Sequence, residues 1–449
     1  MTTVTPADDD PSATPAVTFA DALAVWLRIG LLSFGGPAAQ IGLMHREVVE
    51  QRGWLTERQY LNALNFCMLL PGPEAMQLAT YAGWRLHGVA GGLAAGLAFV
   101  LPGAAVVLVL AMIYAAFGNV PLVEALFLGI KAAVLVIVVE ALLRIAKRAL
   151  AGAEAWMLAG LAFVGIFFLA LPYPLIVLAA ALYGFARGAS LARRGAPGAD
   201  AATATPPVHF TGSARTTAVT ALVCLAIWLV PLLALGWALG FEHKLAQLGF
   251  FFSKLAVVTF GGAYAVLAYM GQDVVTRLGW LETGQMMDGL GLAETTPGPL
   301  ILVTEFVGYV AAWKDGGFAL GLAGAGVTLW ATFAPCFLWI FTAAPYVDWI
   351  NAQPRLKGAL DAITAAVVGV IANLGLWFGL HVFFGRVDRV AAGPFVLWTP
   401  EFATLDWRVV LLAGISGILL LGRRWSVPAV LAVAASLGLV VTFGVNWLA

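Results

Sequence analysis

The chain has 449 residues, of which 61% are hydrophobic and only 11% charged, with mean hydropathy +0.93 and zero formal net charge. Soluble domains carry about 25% charged residues, so this composition describes a membrane protein of many spans. Scattered basic residues on a neutral chain argue against a nucleic-acid footprint. The three cysteines, Cys67, Cys224 and Cys336, are too far apart for a CxxC pair and read as small packing residues.

In chain order, residues 1–18 are polar, with Asp8, Asp9 and Asp10 and no basic residue. Without a secretory n-region they read as a disordered cytoplasmic tail. Apolar runs follow at 19–33, 60–82, 90–117, 122–143, 155–171 and 173–186. The last two are short for a bilayer, which needs about 20 apolar residues, and Pro172-Tyr173-Pro174 marks the turn between them. The polar stretch 187–215 reads as a cytoplasmic linker. A second series of runs falls at 217–240, 245–261, 286–312, 317–343, 357–384, 407–421 and 427–447.

The second series repeats the first. Residues 34–73 read FGGPAAQIGLMHREVVEQRGWLTERQYLNALNFCMLLPGP, and residues 260–299 read FGGAYAVLAYMGQDVVTRLGWLETGQMMDGLGLAETTPGP. The offset is a constant 226 (260 minus 34), and 15 of the 40 aligned positions are identical. Such internal self-similarity governs the whole fold. Further along, Pro102 and Lys131 align with Pro335 and Thr364 at an offset of 233, so the second copy carries seven extra residues near Trp313-Lys314-Asp315. The first run of the second series, 217–240, has no counterpart.

These observations predict an all-α polytopic membrane protein of about 13 spans. Two six-span repeats (19–186 and 241–449) are joined by one extra helix (216–240). An even number of spans per repeat plus one connecting helix inverts the second copy, the arrangement in which substrate sites lie at the repeat interface near mid-membrane. Counting basic residues in the loops gives 13 on the side of the N-terminus and 8 on the other. That bias places the N-terminus in the cytoplasm and the C-terminus outside.

Three features point to an anion site. First, Arg28 and Lys254 fall at matched positions six residues before each FGG. A cation within a span faces a partner or a wet cavity, or snorkels to the interface. Lys131 has no basic counterpart and is expected to pair with Glu124 or Glu140. Second, Pro71-Gly72-Pro73 and Pro297-Gly298-Pro299 interrupt apolar runs, and Gly35-Gly36-Pro37 and Gly261-Gly262 offer a second break in each half. Helices restarting after such breaks present free N–H groups and a positive dipole end. Third, polar groups gather near the breaks: Gln40, Asn62, Glu74 and Gln77 in the first half, and Asp288, Glu294, Thr295, Thr296, Thr304 and Glu305 in the second. Glu74 suits either a helix cap or a proton-binding carboxylate, and Asp288, Glu294 and Glu305 are the other coupling candidates.

The duplicated block with FGGP, GWL and PGP resembles the chromate ion transporter family in its long, two-domain form, over 20–447. The resemblance implies an inner-membrane protein that exports chromate and confers resistance, with sulfate as a structural analogue. The second copy departs from the pattern at Ala263, where the first has Pro37. The expected partners are a chromate-like oxyanion, the lipid bilayer and a second copy of the chain, with no nucleic acid and no cofactor. No GxxxxGK[ST] phosphate loop and no HExxH motif occurs, so neither an ATPase nor a zinc hydrolase is read here. A carrier for another inorganic anion and an intramembrane lipid-processing enzyme are the alternatives.

Overall fold

The computed structural model describes residues 17–193 and 213–448, apart from Asn119, Gly261, Gly262 and Ala352. Most of the expected 1–18 tail and about two thirds of the expected 187–215 linker therefore lie outside the described residues. The exceptions are Val17 and Thr18, Ser213 to Arg215, and Arg187 to Arg193, the last of which continue a helix.

The first repeat comprises α1 (Phe19–Leu32), α2 (Gly36–His45), α3 (Glu57–Leu69), α4 (Glu74–Phe117), α5 (Pro121–Ala149), α6 (Ala153–Phe167) and α7 (Tyr173–Arg193). A connecting helix α8 (Ala214–Leu239) follows. The second repeat comprises α9 (Lys244–Val258), α10 (Ala263–Gln272), α11 (Thr283–Thr295), α12 (Val303–Ala343), the short α13 (Val347–Asn351) and α14 (Pro354–Phe383). It ends with a two-stranded hairpin, β1 (Val387–Ala392) and β2 (Phe395–Pro400), then α15 (Trp407–Gly417) and α16 (Val427–Leu448). Even non-standard details recur. A π-helical turn follows α2 at Arg46–Glu50 and α10 at Asp273–Arg277, and capping boxes at Thr56/Gln59 and Glu282/Gln285 start α3 and α11.

Seven described helical segments are long and apolar enough to cross a membrane, and two shorter apolar ones accompany them. The roughly 13 spans read from hydropathy do not appear one for one as helices, and apolar runs are broken where the PGP motifs predict it. The run 60–82 is divided at 70–73 between α3 and the start of α4. At 13 residues, α3 and α11 are each about 20 Å long, short of the roughly 30 Å hydrocarbon core.

Helices α4 and α12 are also not straight rods. Each folds back on itself at a glycine with positive φ, Gly88 (61°) and Gly317 (69°). Gly83 then packs against Gly91 and Ala95, and Gly308 against Gly324 and Thr328, so the two arms of each hairpin touch backbone to backbone. Any side chain at Gly83 would collide with the Gly91 carbonyl. The seven-residue insertion is divided by this turn: the offset is 226 before it, 229 at the turn glycines (317 minus 88) and 233 after it. Three residues on one arm and four on the other add about one helical turn to each, which keeps both faces in register.

The repeats exchange their outer helices. Helices α6 and α7 of the first repeat pack on α14 of the second, and α15 and α16 of the second pack on α5 of the first. Small residues carry both crossings: Gly184 of α7 against Gly358 of α14, and Gly438 of α16 against Ala125 of α5. Helices α5 and α14 meet at the centre, Gly375 beside Val138 and Gly379 beside Leu135, and so run antiparallel.

Candidate functional site

The four helix breaks converge. The amide of Gly72, in the first PGP turn, donates to the carbonyl of Thr259 in the second repeat at 3.0 Å. The amide of Gly298, in the second PGP turn, donates to the carbonyl of Ser33 in the first repeat at 2.9 Å. Ser33 and Thr259 are themselves related by the 226 offset, and each hydroxyl bonds back to the carbonyl four residues earlier. Each break therefore completes its backbone hydrogen bonding with the other repeat, which is how irregular backbone is kept inside an apolar core. Both turns demand glycine, with φ of 119° at Gly72 and 92° at Gly298.

Each PGP turn also abuts the residue that follows the internal proline of the other repeat. Gly298 lies on Gly103, and Gly72 on Cys336. The Gln40 side chain, buried, clamps the junction by donating to the Gly298 carbonyl at 2.7 Å and the Ser33 carbonyl at 3.3 Å. Gln77, also buried, donates to the Pro71 carbonyl at 2.7 Å.

A narrow cleft remains at this junction. Pro37 and Gln40 of α2 line it, with Pro73, Glu74 and Ala75 at the start of α4, Ala263 at the start of α10, and Pro299, Leu300 and Ile301. Four helix beginnings, two from each repeat, point at one small space. None of the three whose caps are described has a side-chain cap: Gly35, Pro73 and Pro299 all lack one. Side chains of Thr18, Thr56 and Asp406 cap α1, α3 and α15, whereas the starts of α5, α6, α8 and α14 are also without one, so it is the convergence of starts, not the missing caps, that sets the junction apart. Uncapped first-turn N–H groups and converging positive dipole ends make an anion-binding geometry. The free room suits about one water.

Other expected site residues lie differently. Arg28 and Lys254 are exposed on the outer faces of α1 and α9. Arg28 shares its stripe with exposed Leu27 and Leu31, while the inward stripe of α1 is Val25, Trp26 and Ile29. The paired-cation reading is thus not matched by the geometry, because hydropathy gives the depth of a residue and not its direction. Gly261 and Gly262 lie outside the described residues. Lys131 pairs with neither Glu124 nor Glu140: its Nζ lies 3.2 Å from Asp288 Oδ1 in the other repeat, and Glu140 pairs with Arg144. Glu294 is buried and accepts a hydrogen bond from Tyr264 at 2.9 Å, and Glu305 is buried with Oε2 unpartnered. Tyr114 and Tyr264, as partners of those acids, and Ser33 and Thr259, as carbonyl acceptors, were not singled out from the sequence. The aligned hydroxyls immediately before FGG were the signal available for the last two.

Outside the spans, Asp406 caps α15 through the Arg408 amide, and the Arg408 guanidinium bonded to its carboxylate holds it below the usual carboxylate range.

Broken helices meeting across a duplicated helical scaffold define a membrane transport protein. Residues 20–185 and 246–439 match the chromate transporter family, and the chain belongs to it. It is 31% identical to a chromate transport protein of Cupriavidus metallidurans, over 95% of this chain and 94% of that one. It is 28% identical to a probable chromate transport protein of Synechococcus elongatus, over 95% and 96%. An uncharacterized transporter of Bacillus subtilis aligns at 30% identity over 34% of this chain and 88% of its own length, about the size of one repeat. No solved structure matches.

Proposed function

We propose that the protein exports chromate, or a closely similar tetrahedral oxyanion, across the inner membrane, and binds it in the cleft where the four broken helices begin. The observation that carries this is the convergence of uncapped helix starts from both repeats around Pro37, Pro73 and Pro299. The family and the chromate transport proteins it resembles supply the substrate class.

The antiparallel meeting of α5 and α14 and the reciprocal Gly72–Thr259 and Gly298–Ser33 hydrogen bonds support inverted repeats about an axis through the cleft. A cytoplasmic N-terminus and external C-terminus follow from the basic-residue bias. Alternating access is then one repeat rocking on the other, with the cleft as pivot.

Export runs with the membrane potential. A dianion leaving an inside-negative cell at 100 mV gains roughly 4.6 kcal/mol, enough for about a thousandfold gradient. Glu74 lines the same cleft, so its carboxylate and a bound oxyanion repel each other. It is the coupling candidate nearest the substrate, with Glu294, Glu305 and Asp288 further out. Of the residues singled out from the sequence, Gly35, Gly36, Pro37, Gln40 and both PGP turns form the proposed site, and Arg28 and Lys254 do not.

The test is chromate uptake into everted vesicles with wild type, Gln40→Leu and Glu74→Gln. We expect sulfate to compete, Gln40→Leu to lose uptake while still inserted, and Glu74→Gln to alter its pH response. Wild-type uptake that ignores collapse of both the potential and the pH gradient would overturn the energetic reading. Full activity in Gln40→Leu would overturn the site.

A further inference from the structure

Away from the cleft, one charged cluster joins the two repeats inside the helical core. Lys131 of α5 lies 3.2 Å from Asp288 Oδ1, and the Tyr114 hydroxyl of α4 donates to Asp288 Oδ2 at 2.7 Å. The Asp288 side chain is 7% exposed and that of Lys131 27%, so the acid is enclosed and the cation sits at the opening. The Lys131 nitrogen lies over Gly284, where an added side chain would come within 3.3 Å of it.

The cluster exists once. At the equivalent positions the sequence has Asn62 for Asp288, Thr364 for Lys131 and Val347 for Tyr114, none of them ionisable. It is also mechanically placed, because α11 leads through Thr295 and Thr296 directly into the second PGP turn.

We propose that Asp288 is a proton-binding site of the transporter, with Lys131 as its exchangeable counter-charge and Tyr114 as the group that orients it. This rests on the transport reading above. A buried pair cannot lose one charge alone without leaving the other uncompensated. A proton bound to Asp288 turns the carboxylate into a neutral acid and releases the Lys131 ammonium toward its opening, changing the cluster from net zero to plus one. The two repeats, held together here by that pair, are then free to rock. The groups acting on Asp288 are Lys131 and Glu124 of α5 and Tyr114 of α4; Glu282, ahead of α11, acts on Tyr114, and α12 brings Lys314 to Gln285 near the start of α11. Helix α16, which also packs on α11, has no ionisable residue.

The test has two readouts on purified full-length protein. The first is chromate accumulation in proteoliposomes with and without a pH gradient. One coupled proton shifts the accumulation ratio by about tenfold per pH unit. We expect that shift in wild type, and none in Asp288→Asn or in the charge-neutral Lys131→Met/Asp288→Asn pair, which serves if the single variant fails to insert. A tenfold shift retained in the neutral pair overturns the proposal. The second readout needs no substrate: the carboxylic-acid band in pH-difference infrared spectra, scanned over about pH 5 to 9. Its loss on Asp288→Asn supports the site, and an unchanged spectrum overturns it. If wild type carries no chromate at all, the transport reading falls while the infrared result still decides whether Asp288 takes the proton.

Discussion

The two repeats agree in backbone and disagree in charge. At the junction they are near copies: Gly72 and Gly298 make the same cross-repeat hydrogen bond, Ser33 and Thr259 accept it, and each PGP turn rests on the residue after the other repeat's internal proline. Around it they diverge. Gln40 faces Val266 in the alignment, Glu74 faces Leu300, and Asn62 faces Asp288. Under the alternating access proposed above, symmetry serves the element that opens to both sides, whereas a gradient has a direction, and the acids proposed to sense it need no partner in the other half.

The most disruptive change should be one that breaks the junction on one side only. Gly103→Leu drives a side chain into the Pro297 carbonyl, and no folded protein should survive detergent extraction. At the matched position a side chain already exists, so Cys336→Leu is ordinary overpacking, about 1–3 kcal/mol in a thermal-shift assay. Equal outcomes would mean the two contacts are equivalent after all. Next in size is the unmatched ion pair. Lys131→Met alone should cost about 3–5 kcal/mol, and adding Asp288→Asn should recover most of it. Gln40→Leu leaves the Gly298 carbonyl without its donor and should cost about 1–3 kcal/mol beyond its effect on uptake.

Smaller effects lie outside the junction. Asp406→Ala removes the cap of α15, worth about 1 kcal/mol. Because Arg408 holds Asp406 below its ordinary value, the wild-type contribution is present above the unfolded carboxylate range and is lost as pH falls through the depressed value. The stability difference between wild type and Asp406→Ala should therefore shrink in acid. Least of all, Arg28→Ala and Lys254→Ala should each stay within about 0.5 kcal/mol and leave uptake intact.

Much of this was legible in the sequence, because repetition is a strong signal. The constant offset between the FGG and PGP blocks revealed the duplication, and proline with glycine in apolar runs marked where helices stop. What the sequence hid was direction. Arg28 and Lys254 are matched in the alignment, yet both point outward; the outward stripe of α1 is itself apolar, with Leu27 and Leu31 beside Arg28, so hydropathy does not separate a lipid-facing side from a core-facing one. The Lys131–Asp288 pair was missed for a different reason. It joins residues 157 apart (288 minus 131) in different repeats, while local spacing suggested Glu124 and Glu140. The hairpin folding of α4 and α12 was legible by contrast: the apolar runs stop at 82 and 312 and restart at 90 and 317, with Arg85, His87, Lys314 and Asp315 between them.

The exchange of outer helices bears on how such a chain could have arisen. Since α6 and α7 find their packing surface on α14, and α15 and α16 find theirs on α5, neither half encloses its own core. A gene encoding a single unit would yield a polypeptide with a vacant flank, complete only when a sibling molecule met it head to tail in the lipid. In the inverted arrangement proposed above, fusion through α8 fixes both orientations in one translation product. From then on each unit can drift without having to remain its own mate, which is the freedom the lone Lys131–Asp288 bridge displays.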